Sequence, residues 1–165
     1  MDNLDSQELD FNDKLLFEES LTDTPKVRYG YVINQFNFLV PEKMTSEVLQ
    51  SINIFNLPKA PYWIKGLINI RGNIVPVMNL HAVLTDEFNN INSKHVLIIG
   101  KGLNTLGILI DELPQSITVT KNVAESYNMP EVINAYLEPG LKYNGKDWIE
   151  FNLQEFFLKL KDTSH

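Results

Sequence analysis

Residues 58–84, PKAPYWIKGLINIRGNIVPVMNLHAVL, constrain the chain more than any other stretch. Two apolar runs, Leu67-Ile68-Asn69-Ile70 and Ile74-Val75-Pro76-Val77-Met78, flank Arg71-Gly72-Asn73. Runs this short, rich in Ile and Val and broken by Gly and Pro, read as strands rather than helices. Arg71-Gly72-Asn73 is then a tight turn, with positive φ expected at Gly72 and tolerated at Asn73. From Leu67 to Leu84 the chain has no other Lys, Arg, Asp or Glu, so the turn presents one cation on an uncharged surface.

The formal net charge of −7 is unevenly placed. Residues 1–25 carry eight acids against Lys14, and the remainder balances thirteen acids with thirteen bases. A neutral body without a basic patch argues against nucleic acid as a partner. Two readings stand for the acidic lead, 1–25. It is a solvated, flexible segment, or its Leu9, Phe11, Leu15, Leu16 and Phe17 form a short amphipathic helix that docks on the body or on a partner. The lead has no basic region ahead of an apolar run and so does not read as a signal peptide, and no apolar stretch reaches the roughly 18 residues of a membrane helix. The expectation is a cytoplasmic protein without membrane insertion. There is no cysteine, hence no disulfide framework.

After Pro25, residues 27–34 and 35–40 are β-rich and predict a hairpin around Asn34-Gln35. Glu47-Val48 sits in a further strand ladder, and the alternation of residues 52–57 predicts another strand. Pro58 and Pro61 make an irregular connection that ends at Tyr62-Trp63. Trp63 is read either as a half-buried lid or as an aromatic anchor at an interface. Residues 80–84 predict a turn or two of helix, and residues 85–94 a polar loop. Residues 95–99 and 106–111 flank Gly100-Lys101-Gly102-Leu103-Asn104, a hairpin signal. Asp111 is expected to end its strand by hydrogen-bonding a turn. A short helix over 131–137, a turn at Pro139-Gly140, a closing strand over 148–153 and an amphipathic helix over 154–160 complete the chain.

The segment that opened this reading resembles the CheW-like domain, the adaptor module of bacterial chemosensory arrays. The family's gapped pattern stands here as Pro58, Pro61, Gly66, Asn69, Arg71, Gly72, Pro76 and Leu80, and its second half as Gly107, Asp111, Leu113 and Ile117-Thr118-Val119. Pro41, Trp63 and the Gly72-Asn73 pair make the chain more similar to the CheW-like adaptors of type IV pilus (twitching) systems, the PilI-like subgroup. The resemblance implies a mainly β fold of two intertwined five-stranded SH3-like β-barrels with a short C-terminal helix. About ten β-rich runs in two groups agree with it. The expected organisation is the lead over 1–25, the domain over 26–160 with lobes meeting near 85–94, and a tail over 161–165.

What the resemblance implies about function is a scaffold. It would couple the cytoplasmic tip of a methyl-accepting chemoreceptor to the regulatory domain of a CheA-type histidine kinase, and be recruited to membrane-bound receptor arrays. The other reading is a β-barrel interaction module outside chemosensory signalling. Carried over residue by residue, the partner-binding set is Gly66, Asn69, Arg71 and Gly72, with Glu47 the expected partner of Arg71. Trp63, Leu106, Gly107 and Ile108 are further candidates. For Gly66 and Gly72, backbone geometry alone is an equal reading. No enzyme and no cofactor are expected: His81, His95 and His165 lack metal-ligand spacing, and no phosphate loop, nucleophile elbow or kinase motif is present.

Overall fold

The computed structural model describes residues 26–44, 46–50, 53–85, 95–119, 123–124 and 127–163. The acidic lead and residues 86–94 of the polar loop lie outside the described residues.

The predicted first hairpin joins β1 (Val27–Ile33) to β2 (Phe36–Leu39), with Asn34 at φ +55° in its turn. Then come β3 (Ser46–Gln50), β4 (Ile64–Ile70), β5 (Asn73–Met78) and the helix α1 (Leu80–Thr85). Asn79 starts α1 by accepting the Ala82 N–H through Oδ1 at 3.3 Å. β6 (His95–Ile99) and β7 (Leu106–Ile110) form the second predicted hairpin around a 3₁₀ turn (Gly102–Asn104). The chain ends with β8 (Gln115–Thr118), β9 (Val123–Ala124), α2 (Glu131–Asn134), β10 (Leu137–Tyr143), β11 (Lys146–Phe151) and α3 (Leu153–Thr163). Asn152 caps α3: its Oδ1 accepts the Glu155 N–H at 3.2 Å, while its Nδ2 donates to the Glu155 carboxylate at 3.1 Å.

The strands form two sheets. One has the order β8-β1-β2-β11-β10-β9, the two-residue β9 adding a sixth strand to the five expected; the other is β3-β6-β7-β5-β4. The chain begins the first sheet, leaves to build the whole of the second, and returns to finish the first. The two are intertwined in that sense. The strands therefore do not divide at residues 85–94, because β5 and β6, on either side of that interval, belong to the same sheet.

Two further expectations need correction. Residues 53–57 are not a strand: only Phe55 bridges Leu67. Phe55 and Leu57 point outward, 64% and 44% exposed, and Ile54 packs against the five-stranded interior, so the segment covers that sheet's edge with a single bridge instead of a ladder. Pro139-Gly140 is not a turn either. Both residues lie inside β10, at a bulge between Glu138 and Leu141. A bulge tolerates a proline that has no N–H to give, and a Cβ at Gly140 would overlap the Trp148 carbonyl. The turn falls instead at Asn144-Gly145, both at positive φ, the pair that a two-residue hairpin favours.

Each sheet buries a small interior of its own. Ile68, Val75, Val77, Val96, Ile98 and Leu109 fill the five-stranded one, and Leu39, Ile117, Leu141 and Trp148 the other. The largest cluster lies between the sheets. It joins Tyr31, Phe38 and Phe151 of the first to Met78, Leu97, Leu106 and Ile108 of the second, with Phe156 of α3 closing it. β7 is therefore buried along its whole length: Leu106, Ile108 and Ile110 belong to the shared core and Leu109 to the five-stranded interior.

Candidate functional site

The β4–β5 hairpin turns in two residues, Arg71 and Gly72, between the paired Ile70 and Asn73. Both take positive φ, +50° and +87°, the backbone of a twisted two-residue hairpin. Positive φ thus falls one residue earlier than expected, on Arg71 rather than on Asn73, which already belongs to β5. The reason is Asn69, whose side-chain Oδ1 accepts the Gly72 N–H at 2.9 Å and fixes the loop. A left-handed conformation costs an ordinary L-residue about 1–2 kcal/mol. Arg71 bears that strain on the surface, with its side chain 78% exposed.

Arg71 reaches Glu47 with both prongs of its guanidinium, Nη2 to Oε2 at 3.1 Å and Nη1 to Oε1 at 3.4 Å. Glu47 lies on β3 and Arg71 at the end of β4, the two edges of the five-stranded sheet. The pair therefore spans the opening where the curled sheet does not close by backbone hydrogen bonds. So exposed a pair contributes only about 0–1 kcal/mol. Its main effect is orientation: a planar fork held by one carboxylate still presents donors to a second protein.

Beside the hairpin runs an open groove of about 770 Å³. Trp63, Ile74, Pro76 and Phe157 make its apolar wall, Gly72 and Asn73 one end, and Leu103 stands fully exposed at its rim. Phe157 meets the Trp63 ring edge-on at 5.6 Å, and the Lys161 ammonium lies 5.5 Å from the Phe157 centroid, within cation–π reach. Lys161 is the one charged residue lining this groove among the described residues. A second groove, of about 520 Å³, lies between the sheets near β11, and three of its four charged lining residues are acids: Glu42, Glu138 and Glu150 against Lys43.

The structure thus brings Glu47, Asn69, Arg71 and Gly72 together at one surface and places the other candidates beneath it. Leu106, Gly107 and Ile108 are buried in β7, a central strand with neighbours on both sides, and offer no surface to a partner. Gly66 is buried as well. A Cβ there would collide with the Phe55 carbonyl, so its part is to let residues 54–55 lie close alongside β4, where Phe55 bridges Leu67. Trp63 is 5% exposed and belongs to the shared core, reaching the surface only along the groove wall. Sequence reasoning did not connect Ile74, Leu103, Phe157 and Lys161 with the site. An apolar Leu103 inside the polar turn Gly100–Asn104 was the available signal.

Asp111 does end its strand at a turn, but the turn belongs to the other sheet. Its Oδ2 accepts the Asn34 N–H of the β1–β2 hairpin at 2.9 Å, and its Oδ1 lies 2.6 Å from His81 Nε2 of α1. One carboxylate thus ties α1 to the six-stranded sheet.

Two curled sheets around a shared core, with an Arg-tipped hairpin held beside an apolar groove, define a double β-barrel binding module. Among the described residues no group of three or more His, Asp or Glu is placed to hold a metal ion. The pattern of the CheW-like domain matches residues 30–158, and the chain belongs to that family. It is 25% identical over 99 residues to the chemotaxis protein CheW of Thermotoga maritima, covering 60% of this chain and 66% of the relative. It is 29% identical over 77 residues to the protein PilI of Pseudomonas aeruginosa, covering 46% and 43%. These matches span under half to just under two thirds of the relatives' length. The crystal structure of the scaffolding protein TtCheW from Thermoanaerobacter tengcongensis superposes with a TM-score of 0.66 at 21% identity, over 81% of this chain and 88% of that one, and shares its fold.

Proposed function

We propose that the chain is a non-catalytic chemosensory adaptor, tying the cytoplasmic tip of a methyl-accepting chemoreceptor to the regulatory domain of a CheA-type histidine kinase. The observation that carries this reading is the exposed Arg71, strained at positive φ, held by Glu47 and set in a hairpin without other charge. Residues held in sparsely populated backbone regions cluster at binding and switch sites. Relatives named for chemotaxis and for the type IV pilus support the signalling context. No helix of the described residues is long and apolar enough to cross a membrane, and recruitment to receptor arrays is by binding.

An adaptor works through coupling. It binds two proteins at once, and a receptor that changes shape changes the free energy of the kinase contact by the same amount that the kinase changes the receptor's. Each contact can be small, because an array multiplies valency. The two grooves, one apolar with a single Lys and one mixed in charge, suit two partners of different chemistry.

The test is co-purification of the tagged full chain with its co-expressed kinase and with a receptor signalling fragment, separately and together. A ternary complex in which each partner enhances retention of the other is expected. Binding to neither partner would overturn the reading.

A further inference from the structure

We propose that the acidic lead of this chain, through Leu9–Phe17, occupies the Trp63–Phe157 groove in the free protein as a tethered competitor for it. The inference goes beyond the adaptor reading and does not need it. The two larger grooves among the described residues differ in lining. The one near β11 is lined by Glu42, Lys43, Glu138 and Glu150; Glu42 pairs with Lys26 and Glu150 with Arg28, so it holds no excess of positive charge for a segment with a net charge of −7. The one beside the hairpin has Lys161 as its single charged lining residue among the described residues; Lys101 adjoins Gly102, and Arg71, already held by Glu47, adjoins Gly72 at its end. Ile74, 63% exposed, and Leu103, fully exposed, leave apolar surface open there.

The lead supplies what such a surface binds. Leu9, Phe11, Leu15, Leu16 and Phe17 are apolar, and Asp10, Asp13, Glu18 and Glu19 stand among and just after them. The tether limits the lead to the surface within its own span. Leu9–Phe17 ends about nine residues before Lys26, where the described chain begins. A random-coil tether of nine residues spans about 17 Å on average and about 30 Å at full stretch. A domain of this size has a radius of gyration of roughly 14 Å. A short tether sets an effective concentration in the millimolar range, so even a weak contact is populated. Any protein that uses the groove must displace the lead, and salt weakens the lead's hold by screening.

The chain has no cysteine, so a single Ser20→Cys accepts one spin label on the full-length protein. Paramagnetic broadening of amide signals is expected around Ile74, Leu103 and Phe157 and at the Trp63 indole. It should shrink several-fold in 0.5 M NaCl and disappear in the Lys161→Glu variant, whose exposed side chain is not needed for folding. Broadening spread evenly over the body, centred on the groove near β11, or unchanged in Lys161→Glu would overturn the proposal. Spin-labelled chains mixed with unlabelled, isotope-enriched chains should show no broadening. Broadening in that mixture would give the groove to the lead of a second copy and overturn the intramolecular assignment.

Discussion

Arg71 can be separated into a stability effect and a binding effect, because its backbone and its side chain work against each other. Arg71→Ala keeps the left-handed backbone at φ +50° and removes the pair with Glu47. It should lower stability by the pair's contribution, about 0–1 kcal/mol. Arg71→Gly removes the pair too but relieves about 1–2 kcal/mol of left-handed strain. It also gives the unfolded chain extra freedom that costs about 0.4–1 kcal/mol. The glycine variant should therefore lie between about 1 kcal/mol below and about 1.6 kcal/mol above the native chain, and above the alanine variant. Both should lose the same binding, about 2 kcal/mol for a residue that anchors an interface, or roughly thirtyfold in Kd. Urea unfolding followed by tryptophan fluorescence gives the stability order. Calorimetric titration with a CheA-type kinase regulatory domain gives the affinity. A glycine variant less stable than the alanine variant would refute the strain argument, and native affinity in either variant would remove Arg71 from the contact.

Two other outcomes follow from buried groups. Gly66→Ala places a methyl group against the Phe55 carbonyl, and urea midpoints should show a loss of about 2–3 kcal/mol; an unchanged midpoint would mean that residues 54–55 do not lie close alongside β4. Burial, helped by Glu150, pushes the Tyr31 phenol well above its ordinary value of about 10. A raised native value means that the neutral form is favoured by folding. Stability from this group is intact below pH 10 and falls above it, with a slope of up to about 1.4 kcal/mol per pH unit. Stability measured from pH 9 to 11 should fall more steeply for the native chain than for Tyr31→Phe, and parallel slopes would contradict the assignment.

The local elements were legible because each depends on neighbours in sequence. The Ile/Val runs around Arg71-Gly72, the Asn34 turn, the 95–110 hairpin and the apolar side of α3 are set by pattern and turn chemistry, and the tertiary structure leaves them in place. Even the Glu47–Arg71 pairing could be named, since an isolated cation in an uncharged segment needs an acid. The Asn144-Gly145 turn was readable and was passed over for Pro139-Gly140, because proline and glycine signal a bulge as well as a turn.

What the sequence left open depends on which strands become neighbours. Nothing local says that β3–β7 form one sheet inserted between β2 and β8. That interleaving places β7 between β6 and β5, with the shared core on one face, and so buries Leu106, Gly107 and Ile108. The burial of Gly66 and Trp63 and the meeting of Lys161 with Phe157 and Ile74 likewise come from segments far apart in the chain. Sequence by itself determined most of the strands, three of the hairpin turns and the charged hairpin, through backbone preferences that act over a few residues. Only the tertiary structure decided which of those residues reach the surface, because burial is a property of long-range packing.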